Sequence, residues 1–144
     1  MKKTIRIGDF KINNKEKKII LDILDSGRIT EGIKTREFEK KWAETIGTKY
    51  SIAVNSGTSA LISGLYALKY LAADEKRKKV ITTPLTFIAD SNSIKISGLE
   101  PVYGDIDRKK FSLLPSGIEK ILSENDPKEF LAILPVHLMI ESFN

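Results

Sequence analysis

The chain has 144 residues, 41% of them hydrophobic and 30% charged, an ordinary globular composition that excludes the disordered and fibrous classes. Its net charge of +5 is spread along the sequence, with short basic clusters at residues 15–18 and 76–79 and no aromatic or helix-borne readers among them, so no nucleic-acid surface is expected. With no cysteine and one histidine, disulfides, thiolate zinc sites and thiol catalysis are excluded, and no metal site is expected.

Residues 1–10 carry basic side chains without a sustained apolar stretch, and the longest apolar run, residues 130–140, is about half of a bilayer span. A cytoplasmic protein with no membrane contact is expected. Asn13 followed three residues later by Glu16 forms a capping-box signature, so a helix should begin there. Its apolar residues Ile19, Ile20, Ile23 and Leu24 share one face, and Ser26-Gly27 supplies a left-handed stop. A loop over residues 28–34 follows. The second helix is expected from Thr35 or Arg36 to Gly47, with Phe38, Trp42 and Ile46 at four-residue intervals facing a core.

Beyond this N-terminal segment, about residues 1–48, the pattern becomes a regular alternation over about 49–144. β-rich runs at 50–54, 79–82, 101–105 and 130–136 are separated by helical spacings at 59–71, 88–97 and 116–125. Strand, helix, strand in this rhythm predicts βαβ units: an α/β fold with a mostly parallel sheet flanked by helices, its crossovers right-handed. The strands lack clean alternation, as expected where both faces are buried. One α/β domain spanning residues 1–144 is expected, incomplete because the alternation stops after its last strand.

In such a sheet ligands bind at the carboxyl ends of strands, and three segments fall there. The turn Asn55-Ser56-Gly57-Thr58-Ser59-Ala60 offers the backbone N–H groups of Gly57, Thr58 and Ser59 and two hydroxyls to a phosphate. A helix capped by Ser56 with no ligand explains the same residues equally well. The spacing is neither a P-loop, a G-x-G-x-x-G turn nor a nucleophile elbow. In the second segment, Thr82-Thr83-Pro84-Leu85-Thr86-Phe87, the ring of Phe87 has two readings: a stacking surface for a planar cofactor or a hydrophobic staple for the next helix. The third is Pro135-Val136-His137, whose histidine reads as a strand-end residue rather than a catalyst. Asp105 and Asp107 read as turn formers before Arg108-Lys109-Lys110, with no further hard-metal ligands near them.

Taken in order, Ser26-Gly27-Arg28-Ile29-Thr30-Glu31-Gly32, Glu37-Phe38-Glu39, Val54-Asn55-Ser56-Gly57-Thr58-Ser59-Ala60-Leu61, Pro84-Leu85-Thr86-Phe87-Ile88-Ala89, Gly98-Leu99-Glu100-Pro101-Val102, Asp105-Ile106-Asp107 and Pro135-Val136-His137-Leu138 resemble the DegT/DnrJ/EryC1/StrS family. Its members are pyridoxal-phosphate-dependent aminotransferases of nucleotide-linked keto-sugars, used in amino-sugar and polysaccharide biosynthesis. The resemblance implies the N-terminal part of the large domain of a fold-type I aminotransferase. It implies pyridoxal 5'-phosphate as cofactor, a nucleotide-sugar substrate, an amino donor and a homodimer. It also implies that Gly57, Thr58 and Ser59 hold the cofactor phosphate and that Phe87 stacks on the pyridine ring. Thr30 and Gly32 fall in a segment near the substrate, although Ile29 stands where the family often has Trp or Tyr.

In this family the Schiff-base lysine and the carboxylate that protonates the pyridine nitrogen come later than the last residue here, and Ile140 replaces the usual Gly after His-Leu-Met. No lysine present is an evident substitute, so no catalytic residue is assigned. The expected product is a truncated aminotransferase fragment without activity of its own. The alternative is a non-catalytic phosphate-ligand-binding or pseudoenzyme subunit that completes a site with another chain.

Overall fold

A computed structural model describes residues 11–137; the basic N-terminal stretch and the departure at Ile140 lie outside the described residues. The chain falls into two compact units, Met1–Ala53 and Val54–Asn144. Among the described residues no helix is long and apolar enough to cross a membrane.

The first unit holds helices α1 (Asn14–Asp25) and α2 (Ile33–Ile46). α1 starts where the capping box requires it. Asn13 Oδ1 accepts from the Glu16 N–H at 3.0 Å, and Glu16 Oε2 accepts from the Asn13 N–H at 2.7 Å. Past its end, Gly27 takes a positive φ of 68°. α2 begins slightly before the expected Thr35 and ends at left-handed Gly47.

The face that α2 turns inward corrects the expectation. Phe38, Trp42 and Ile46 are each at least half exposed, and the buried residue is Ala43. The cause is polar: Glu39, one position round the helix from Phe38, bonds the chain that follows α2. Its carbonyl accepts from the Ser51 hydroxyl at 2.5 Å and its carboxylate from the Ala53 N–H at 2.9 Å. Residues 35, 39 and 43 thereby become the covered stripe, and the aromatic stripe lies about 100° away. The same bonds accompany a second correction. Residues 50–54, expected as a strand, have no ladder, and the backbone N–H of Ala53 in their midst goes to a helix side chain rather than to a neighbouring strand.

The second unit is the α/β part, in the order α3 (Gly57–Ala72), β1 (Lys79–Thr82), α4 (Ala89–Ile96), β2 (Glu100–Tyr103), α5 (Pro115–Glu124), a short 3-10 turn and β3 (Phe130–Leu134). The sheet is parallel throughout, in the order β2-β1-β3, with β1 central. Successive residues of β1 feed opposite layers. Val80 packs with Leu65 of α3, Ile94 of α4 and Leu99, whereas Ile81 packs with Leu113 and Phe130 beside Ile118, Ile121 and Leu122 of α5. Both side chains are fully buried, which accounts for the missing in/out alternation in the sequence. α4 leads from β1 to one side of the sheet, and α5 leads from β2 back across to the other. Crossovers of one hand must then lie on opposite faces, and they do. Thr82, also buried, ties β1 to β3 through a hydroxyl bond to the Leu134 carbonyl at 3.0 Å. At the opposite end of the same two strands Lys79 pairs with Glu129 at 2.7 Å.

At Gly104, after β2, the chain passes close to the core: a Cβ there would meet Leu113 Cδ1 at 2.6 Å, so a larger residue would have to displace that side chain. Two buried hydroxyls, Ser93 Oγ and Ser97 Oγ, find no hydrogen-bond partner. A buried unpaired hydroxyl costs roughly 1–3 kcal/mol. Ser93→Ala is therefore expected to leave the urea unfolding midpoint unchanged or raise it, and a lowered midpoint would reveal a partner bound in solution.

Candidate functional site

The turn before α3 is organised by Ser56. Its backbone is extended (φ −160°, ψ 159°), and its hydroxyl accepts from the Ser59 N–H at 3.1 Å, the geometry of an N-cap. Ser59 Oγ in turn donates to Asn55 Oδ1 at 2.7 Å. The first backbone bond of the helix runs from the Ala60 N–H to the Ser56 carbonyl at 3.0 Å. The Gly57 and Thr58 N–H groups therefore have no acceptor within the helix and stand at its positive end. At Gly57 a Cβ would meet nothing within 4 Å, so the backbone there faces open space.

Both residues line a cavity of about 680 Å³ within the second unit, together with Ala60, Leu61, Gly64, Leu65 and Leu68 of α3, Phe87 and Ala89, and Ala132, Ile133 and Leu134 of β3. The volume lies in the range of small-molecule sites, and the pattern of apolar walls with a few polar groups at one end is typical of them. No lysine lines it. Lys69 donates to the Ser97 carbonyl at 3.0 Å, at the far end of α4, and Lys79 holds Glu129.

Phe87 is 76% exposed and belongs to the cavity wall. The staple reading fails on position. With Ile88 as the cap of α4, a staple would need an apolar residue at the fourth helical position, which is Asn92. Around Phe87 the turn is fastened by side chains that the sequence reading passed over. Buried Thr83 accepts from the Leu85 N–H through Oγ1 at 3.1 Å, and Thr86 Oγ1 donates to Asp90 Oδ2 at 2.7 Å. The four-residue spacing of Thr86 and Asp90 at a helix start was the available signal.

Of the expected site residues, Gly57, Thr58 and Phe87 meet at this cavity, and Ser59 lies beside it with its N–H committed to the cap. Thr30 and Gly32 line a separate hollow of about 270 Å³ in the first unit, with Ile23, Arg28 and Ile33. Arg28 Nε donates to the Glu31 carbonyl at 3.2 Å and so closes that loop on itself.

The two aspartates after β2 act as turn formers. Asp105 Oδ1 accepts from the Ile106 N–H at 2.8 Å, and Asp107 Oδ1 accepts from the Lys109 and Lys110 N–H groups at 2.7 and 2.8 Å. Among the described residues no group of three or more His, Asp or Glu is arranged to hold a metal.

A family model for the DegT/DnrJ/EryC1/StrS aminotransferase family matches residues 11–142. The chain belongs to this family. It is 36% identical over 126 residues to the spore coat polysaccharide biosynthesis protein SpsC of Bacillus subtilis (strain 168), covering 88% of this chain and 30% of that protein. It is 32% identical over 113 residues to a UDP-4-amino-4,6-dideoxy-N-acetyl-beta-L-altrosamine transaminase of Helicobacter pylori, covering 78% and 29%. Among solved structures it resembles NtdA from Bacillus subtilis, determined with bound cofactor PMP, with a TM-score of 0.71 and 34% identity over 88% of this chain and 28% of that one. The chain thus spans about three-tenths of the length of these relatives. The expected fold is borne out: an α/β fragment of a pyridoxal-phosphate aminotransferase large domain, parallel in its sheet.

The Lys110 and Lys109 backbone N–H groups hold the Asp107 carboxyl below its ordinary value of 3.8. A carboxylate depressed in the folded state stabilises above its unfolded pKa and loses that contribution as pH falls through the folded value. Acid titration of the native chain should accordingly show a stability loss below about pH 4 that is smaller in Asp107→Asn, read as the urea midpoint at each pH.

Proposed function

We propose that this chain is the N-terminal, phosphate-holding portion of a pyridoxal-phosphate-dependent aminotransferase of nucleotide-linked keto-sugars, serving amino-sugar and polysaccharide biosynthesis. One observation carries the reading: the free N–H groups of Gly57 and Thr58 and the exposed ring of Phe87, some thirty residues apart in sequence, converge on one apolar cavity. Those residues fit the cofactor by their chemistry, with donors at a helix N-terminus for a phosphate dianion and a flat hydrocarbon face for a heteroaromatic ring. The PMP held by the related NtdA structure supports the same match. When bound, the cofactor supplies the electron sink for amino-group transfer. This chain's residues do the rest of the holding. Gly57 and Thr58 bind the phosphate, Phe87 covers a ring face, and Leu61 and Leu68 supply part of the apolar wall. Ser59 keeps Ser56 and Asn55 in place, and its N–H reaches a phosphate only by leaving the cap.

The loop of Thr30 and Gly32 is proposed to meet the substrate, on the strength of the family motif at residues 26–32. The amino donor, a homodimeric assembly and a cytoplasmic location are carried by the same resemblance. Among the described residues no lysine lies on the cavity wall, which supports a chain that holds the cofactor without turning over on its own.

The backbone donors can be tested one at a time. Gly57→Pro is compatible with the extended Ser56 before it and with the first helical position, and it removes one N–H. It is expected to weaken pyridoxamine 5'-phosphate binding about tenfold or more by calorimetry, the worth of a hydrogen bond to a charged group, with the melting temperature kept. Unchanged affinity would sink the cradle assignment. Incubated with glutamate and a keto-sugar nucleotide, the chain is expected to transfer no amino group. Borohydride reduction with pyridoxal phosphate should mark surface lysines unselectively, and a unique labelled lysine would overturn the inactivity.

A further inference from the structure

Phe87 poses a physical difficulty that its neighbours resolve. A ring 76% exposed receives little packing to fix its direction, and residues 83–88 form neither helix nor strand. A stacking surface that wanders gains little from a flat ligand, because the ligand must then meet the cost of ordering it. The bonds on either side of the Phe87 Cα hold the backbone from which the ring projects, and so narrow that freedom. Asp90 holds the residue before Phe87 through its carboxylate, which accepts from Thr86 Oγ1 at 2.7 Å, and holds Phe87 itself through its N–H, which donates to the Phe87 carbonyl at 3.2 Å. Asp90 is in turn anchored in the first turn of α4, where a negative charge suits the helix end. It is not the cap of that helix, which is Ile88 with no side-chain bond, and it does not line the cavity.

We infer that the Thr86–Asp90 hydrogen bond is a positioning device for Phe87: it presents the ring to the cavity in one orientation and so sets affinity for the planar part of the ligand, leaving its phosphate untouched. Asp90 and Thr86 are positioning residues, since neither meets the ligand. The inference rests on the cofactor reading above, and its consequences separate from that reading because ring and phosphate can be probed independently.

The test uses the full chain with two probes, pyridoxamine 5'-phosphate and inorganic phosphate. Thr86→Val and Asp90→Ala should each weaken the first about threefold to tenfold, the worth of an aromatic contact, with affinity for the second held within about twofold. Asp90→Asn keeps an acceptor for the Thr86 hydroxyl and should restore the wild-type ratio. In a Phe87→Ala background Thr86→Val should add almost nothing, as expected of two changes acting through one contact. Equal weakening of both probes, or a Thr86→Val effect that persists without the ring, would overturn the inference and leave the cradle intact. A wild-type chain that binds neither probe would overturn the cofactor reading and this inference with it. A readout without ligand completes the test: the ring carbon resonances of Phe87 should shift in Thr86→Val and return in Asp90→Asn, and unchanged resonances would also overturn it.

Discussion

Everything in the second unit follows from burying β1 on both of its faces. A four-residue strand with Val80 committed to one layer and Ile81 to the other needs helices above and below it, and a parallel sheet needs crossovers long enough to be those helices. α3 and α4 therefore cover one face, and α5 the other. Because all three strands run in parallel, their carboxyl ends gather on one side, where the turn carrying Phe87 leaves β1 and where β3 ends. The cavity is the place where this arrangement meets the start of α3. Its position is a consequence of topology before it is a matter of particular residues.

Much of this was legible in sequence because the deciding signals are local. The Asn13–Glu16 capping box, the glycines closing α1 and α2, and the alternation from residue 79 onward each specify structure within a few residues. The failures are equally instructive. The spacing of Phe38, Trp42 and Ile46 was read as a core stripe, yet burial is decided by which face the next segment bonds, and Glu39 decided it through contacts twelve and fourteen residues away. Residues 50–54 have strand composition but no ladder, and composition cannot supply a partner.

The site shows the same division. Gly57, Thr58 and Phe87 could be singled out from motif, since the proposed phosphate donors and the proposed stacking ring leave a recognisable residue pattern. The motif could not show that Ser59 spends its N–H on Ser56, because a cap and a cradle use the same residue types. Nor could it show the walls: Leu61 and Leu68 read as helix core and Ala132 and Leu134 as strand, and only the packing of α3 beside β3 turns them toward one space.

The bond from Ser59 to Ser56 has a wider meaning for recognition. A helix end left to fray would have to be ordered by the arriving anion, and part of the attraction would be consumed in doing so. Here the first turn is nucleated by its own cap, so the dipoles of Gly57 and Thr58 are aligned before any ligand arrives. The entropy of that alignment was lost during folding, so under the proposed function a phosphate would meet a rigid electrostatic template rather than shape one.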